Sequence, residues 1–125
     1  MLTGVATHTT LPVEEPARAK AFYSEKLGLE PVSEAQGGNF YEAGGARFLL
    51  YPTAGRPSGA HTQMGFAVKD IEATVAALKE RGVAFNEYDF PGFDKSTSIA
   101  QTGPIRAAWF TDSEGNLLGI VQLPE

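Results

Sequence analysis

Two short runs along the chain alternate apolar and polar residues, and each leads into a helical stripe. In His8-Thr-Thr-Leu-Pro-Val13-Glu-Glu15, Leu11 and Val13 alternate with His8, Thr10 and Pro12. In Gln63-Met-Gly-Phe-Ala-Val68-Lys-Asp70, Met64, Phe66 and Val68 alternate with Gln63, Gly65 and Ala67. Period two with one apolar face predicts a strand buried on one side only. The two runs lie 55 residues apart and share the order strand, acidic residue, helix, which marks an internal repeat.

The first helix is predicted over residues 16–27. Pro16 suits the first helical position, where its missing N–H costs nothing. Ala19, Phe22, Tyr23 and Leu27 form the apolar stripe, and Gly28 supplies the left-handed stop. The second is predicted over 71–81, with Asp70 as its cap, Ile71, Val75 and Leu78 as its stripe, and Gly82 as its stop. Strands are predicted at 29–33, 39–43 and 47–51 after the first helix, and at 83–88, 105–111 and 116–123 after the second. Gly44-Gly45 is a tight hairpin signal, and Asp112-Ser-Glu-Gly115 marks a second turn. Residues 89–104 read as one long irregular stretch, of the kind that often serves as a lid or binding loop. The order is therefore βαβββ, linker, βαβββ. Modules at about 5–52 and 62–123 are joined by a Pro/Gly/Ser-rich linker at 52–61, making one domain over residues 1–125.

Composition narrows the chemistry. A chain of 125 residues folds to an accessible surface of roughly 6,500 Å², enough burial for a core without staples. The absence of cysteine excludes disulfides, thiolate metal sites and cysteine nucleophiles. No apolar run is long enough to span a bilayer, and residues 1–10 carry no basic stretch before an apolar one, so neither membrane nor leader is expected. A net charge of −5 without a Lys/Arg cluster argues against nucleic acid. Cytoplasm is the expected location. The serines sit in turns without a Gly-x-Ser-x-Gly elbow, and no glycine loop precedes a Lys in the phosphate-cradling pattern.

Two segments carry a resemblance. Val13-Glu-Glu-Pro-Ala-Arg-Ala-Lys-Ala-Phe22-Tyr23, continued by Lys26-Leu27-Gly28-Leu29, and Phe110-Thr-Asp112-Ser-Glu-Gly115-Asn116 resemble the vicinal oxygen chelate superfamily. This is the glyoxalase, bleomycin-resistance and dioxygenase group. The resemblance implies an α+β fold. Its two βαβββ modules form a curved mixed-sheet cup with helices outside and a ligand in the concavity. It also implies a homodimer, since many members pair modules between chains.

Metal-dependent members place four ligands in the cup, and the resemblance carries those positions onto His8, Leu49, Gln63 and Gly119. Both expected carboxylates are thus missing, and two neutral ligands leave a divalent cation uncompensated. The base that glyoxalase chemistry takes from a ligand carboxylate is missing with them. His8 and Gln63 remain weak metal candidates, and a rebuilt site would have to recruit His61 and Glu42. No cofactor is expected. The expected ligand pocket comprises His8, Thr10, Leu49, Tyr51, Gln63, Trp109, Gly119 and Val121, with Phe90 and Phe93 as lid residues on the long loop. The function expected is binding of a small organic molecule in a cup with a degenerate metal site. The alternatives are a metal-dependent lyase, isomerase or dioxygenase with a rebuilt site, and a protein that sequesters cationic antibiotics. For the last, Glu14, Glu15, Glu34, Glu87, Asp89 and Asp94 are the candidate attractors.

Overall fold

The computed structural model describes residues 1–124 and has two mixed sheets and two helices. The first module runs β1 (His8–Val13), α1 (Pro16–Leu27), β2 (Ser33–Ala35), β3 (Gly38–Ala43) and β4 (Ala46–Pro52). The second runs β5 (Met64–Ala67), α2 (Ile71–Glu80), β6 (Phe93–Asp94), β7 (Ile99–Thr102), β8 (Ile105–Thr111) and β9 (Leu117–Gln122). The sheet orders are β1-β4-β3-β2 and β5-β9-β8-β7-β6. In each module the first strand pairs parallel with the last, β1 with β4 and β5 with β9, while the remaining ladders are antiparallel. A helix must separate two parallel neighbours, and α1 and α2 provide those crossovers.

Local signals act where they were expected. Gly28 takes φ 71° and closes α1, with its N–H on the Ser24 carbonyl and that of Leu29 on Tyr23. The Asp70 side chain caps α2 at the Ala73 N–H. Gly44 and Gly45, at φ 58° and 84°, turn β3 into β4. The alternation also holds: Leu11, Val13, Phe48 and Leu50 of the first sheet and Phe110, Leu118 and Ile120 of the second enter one shared core. Phe48 meets Phe66 edge-on across the modules, with centroids 6.5 Å apart.

Three expected segments are corrected. The predicted strand at 29–33 shifts to β2, preceded by a single Val32 N–H to Phe40 bond. The predicted strand at 83–88 shrinks to one bridge, Phe85 to Phe110, and an Asn86 N–H bond to the Trp109 carbonyl. The reason is competition for one strand edge: β7 takes β8 at residues 105–107, leaving only its far end free. β7 and β6 themselves lie inside the stretch expected to be irregular. Its polar run Ser96-Thr-Ser hides a tight turn, in which the Asp94 carboxylate accepts from the Ser96 N–H and Oγ.

The modules are fastened where the β8–β9 turn meets the start of α1. Asp112 is 5% exposed and accepts from the Tyr23 hydroxyl at 2.7 Å. Asn116 is fully buried and donates to the Pro12 carbonyl and to Asp112. The Glu114 carboxylate is enclosed, accepting from the N–H groups of Glu14 and Glu15 and from Arg18 Nε. Burial alone would raise its pKa, but the bonds from Arg18, Glu15, Ser113 and Glu14 outweigh that and hold it at about 2.

Two predictions follow from these contacts. The folded pKa of Glu114 is depressed, so its contribution is complete above the ordinary carboxylate value and is lost as pH falls toward 2. Denaturant titrations between pH 5 and 2 should therefore show a shallower fall in stability for Glu114→Gln than for the native chain. Two buried tyrosines should also differ. Tyr41 has a buried hydroxyl without a hydrogen-bond partner, whereas that of Tyr23 serves Asp112. Tyr41→Phe should leave the melting temperature unchanged or raised. Tyr23→Phe should cost about 1–3 kcal/mol by urea unfolding, because it strips a donor from a buried carboxylate.

Candidate functional site

Strand parity places every pocket residue expected on β1, β4, β5, β8 and β9 on the sheet face turned away from the core. On the first sheet, His8 pairs with Arg47, Thr10 with Leu49 and Pro12 with Tyr51, so all six side chains share one face. Phe40 joins them opposite Leu49. His8 meets the Phe40 ring edge-on at 5.4 Å, and the Arg47 guanidinium lies 5.1 Å from its centroid, a cation–π contact. On the second sheet, Gly65 pairs with Gly119, Ala67 with Val121 and Trp109 with Gly119. Phe93 belongs to this face through Ala100 and Ala107.

Two faces therefore exist, and a cavity lies on the second. A cavity of about 250 Å³ is lined by Ala60, His61, Thr62, Tyr88, Phe90, Trp109 and Leu117. Trp109 is its organising side chain. Its indole N–H donates to Thr62 Oγ1 at 3.0 Å. Tyr88 stands against it at 86° with centroids 5.5 Å apart, and Tyr88 in turn touches Phe90 and Phe93. The four rings form a satellite cluster outside the main core.

Gly119 explains how the indole fits. A Cβ there would lie 3.3 Å from the Thr62 methyl and 3.5 Å from Trp109 Cδ1. The position that metal-dependent relatives are expected to fill with a ligand is here the seat of an aromatic ring. Gln63 is also committed elsewhere: its Nε2 donates to Asn116 Oδ1 and its Oε1 accepts from the Leu117 N–H. Glu42 faces Arg47, and His61 Nδ1 lies 3.4 Å from Ser58 Oγ. Among the described residues no three His, Cys, Asp or Glu side chains come together to hold a metal. The donor set does not fit a divalent ion: Leu49 and Gly119 supply nothing, and the Gln63 amide is used at both ends.

Of the expected pocket and lid residues, Trp109 and Phe90 line the cavity. Phe93 is held in the β6 ladder and packs behind Tyr88. His8, Thr10, Leu49, Tyr51, Gln63, Gly119 and Val121 are not among the residues lining this cavity. Sequence reading missed Tyr88, Thr62 and Ala60 as lining, and His61, which it held only for a rebuilt metal site, lines the cavity as an exposed residue. Parity from Gln63 and Gly119 pointed to Leu117; nothing local pointed to Tyr88, because residues 83–88 do not form the strand they suggest. The expected acidic attractors are placed elsewhere. Glu14 pairs with Arg56, Glu15 with Arg18 and Asp89 with Lys95, and none of the six lines the aromatic cavity.

The chain was compared with known proteins. Residues 6–120 match the profile of the Glyoxalase/Bleomycin resistance protein/Dioxygenase superfamily. Bacillus subtilis (strain 168) YurT, a protein described as uncharacterized, is 29% identical over 91% of this chain and 95% of its own length. The crystal structure of TnmS3, an antibiotic binding protein from Streptomyces sp. CB03234, superposes with a TM-score of 0.74 at 27% identity. That match covers 100% of this chain and 99% of TnmS3. Lactoylglutathione lyase from Agrobacterium tumefaciens superposes with a TM-score of 0.64 at 19% identity, covering 98% of this chain and 96% of its own, a likeness of fold alone.

The donor set yields a direct prediction. Zinc or nickel titrated into the purified protein should give no stoichiometric heat by calorimetry. His8→Ala should leave the response to metal unchanged. A tight single site that disappears in His8→Ala would overturn this account of the donors.

Proposed function

The chain belongs to the Glyoxalase/Bleomycin resistance protein/Dioxygenase superfamily, and on that premise we propose that it binds a small planar organic molecule on the aromatic face of its second sheet, without metal-dependent turnover. The observation that carries this reading is the Trp109 indole seated over Gly119, pinned by Thr62 and walled by Tyr88 and Phe90. Offset or edge-on ring contacts of this kind contribute about 0.5–1.5 kcal/mol each beyond area burial. The lining holds no Asp, Glu, Lys or Arg, which supports an uncharged ring system over a cation. TnmS3 is described as antibiotic binding, and its likeness over the full chain favours a binding protein over a catalyst.

The cavity is smaller than the roughly 300–1,000 Å³ of sites that enclose a drug-sized ligand. A ligand with one ring seated at Trp109 would extend beyond it. We assign the remaining cover to a second copy of this chain. The outward face of the first sheet, bearing His8, Phe40 and Arg47, is partly open and leaves room for such a copy.

Trp109 is the single tryptophan, so its emission reports the site directly. Titration with a panel of planar aromatic compounds should give saturable quenching by at least one of them. Tyr88→Ala should weaken that affinity about tenfold, the loss of one ring contact. Saturable binding indifferent to Tyr88→Ala and Phe90→Ala would sink the reading. Sedimentation equilibrium should give twice the monomer mass; a monomer at all concentrations would remove the second copy from it.

A further inference from the structure

We propose that the connection between β4 and β5, residues 53–62, is the movable wall of the aromatic cavity, and that Thr62 is the positioning residue that latches it to Trp109. The proposal takes its ligand from the aromatic-binding reading, but the motion of the wall rests on geometry of its own. Ala60, His61 and Thr62 line the cavity together with Tyr88, Phe90, Trp109 and Leu117. Among the described residues, none of 53–62 takes part in a backbone–backbone hydrogen bond, and the segment's bonds to the body run through side chains. One fastening is the ion pair of Arg56 with Glu14 at 2.7 Å, between side chains 81% and 56% exposed, and such pairs hold weakly. The other is the Trp109 N–H bond to Thr62 Oγ1.

The contacts beneath this connection also favour motion. Pro57 rests over Gly115 and the Thr62 methyl over Gly119, so no side chain of the turn or of β9 interlocks with it at those two points. The loop that follows Tyr88 is fastened quite differently. Asp94 binds Ser96 through its side chain and Thr97 and Ser98 through its carbonyl. Gly92 and Gln101 are joined by a backbone bond, and β6 pairs with β7. Phe90 and Phe93 are thus carried on a braced wall, and the segment free to swing is the β4–β5 connection. Segments with few backbone bonds open first, at little free-energy cost. Release of Thr62 frees the wall and the indole together, which opens a route for a ring to enter beside Trp109.

The test uses the full chain. Acrylamide quenching of Trp109 is compared between the native protein and Thr62→Val, which keeps the methyl over Gly119 and removes the acceptor. Loss of one net hydrogen bond shifts an opening equilibrium about fivefold, so the quenching constant should rise several-fold with an unchanged circular dichroism spectrum. Equal quenching in the two proteins overturns the proposal. Hydrogen exchange on the native protein gives a second measurement that needs no variant. Amides of residues 53–62 should exchange without protection and slow on saturation with the uncharged dye N-phenyl-1-naphthylamine, while those of β7 stay protected throughout. Protection of 53–62 equal to that of β7 in the free protein also overturns it. Failure of the dye and of every aromatic compound to bind, with Thr62→Val still more quenchable, sinks the binding reading and leaves the movable wall standing.

Discussion

A carboxylate taken out of water must find donors, and Asp112 shapes this molecule by where it finds them. Its oxygens accept from the Tyr23 hydroxyl, the backbone of Glu114 and Asn116, and the Asn116 side chain. Tyr23 belongs to the first module and the rest to the second, so satisfying one buried charge fixes the modules against each other. The consequences run outward. Asn116, held by Asp112, accepts from Gln63, and Gln63 accepts from the Leu117 N–H, which sets β5 beside β9. The same turn presents Glu114 to the first residues before α1, supplying acceptors there while the helix's own cap residue, Glu15, makes no side-chain cap bond.

That network also accounts for the chemistry of the outward faces. Gln63 has the right position to face a ligand and the wrong hydrogen bonds to serve one, since both ends of its amide stabilise the turn. Gly119 has no side chain to offer, and its lack of a Cβ lets the Trp109 indole and the Thr62 methyl close over the strand. The outward face of the second sheet thus carries an aromatic wall. One backbone scaffold can carry lone-pair donors or π surface on the same sheet face, so the fold alone does not decide the chemistry.

Several of the acidic residues serve structure. Glu114 closes the helix start, Asp112 joins the modules, Asp70 caps α2 and Asp94 ties the β6–β7 turn. Several remaining carboxylates pair with exposed Arg or Lys. A net charge of −5 is therefore uninformative about the ligand. The aromatic cavity contains none of those acids.

The repeat, both helices, the two glycine stops, the Asp70 cap and the Gly44-Gly45 hairpin were determined by the sequence alone. Each depends on local φ/ψ, on period two or on period 3.6, and those constraints act over a few residues. Parity along β1, β5 and β9 likewise told which residues turn away from the core. Tertiary structure decided what those residues meet. Residues 83–88 have strand composition, but β7 holds part of the β8 edge they would need. That leaves Tyr88 free to stand against Trp109. Gln63 reads as a ligand until a turn more than fifty residues away claims its amide. Thr62 carries no signal in the sequence, and only the fold shows its hydroxyl accepting from the indole N–H. Partners so distant in the chain leave no periodic trace, so only the folded arrangement could assign them.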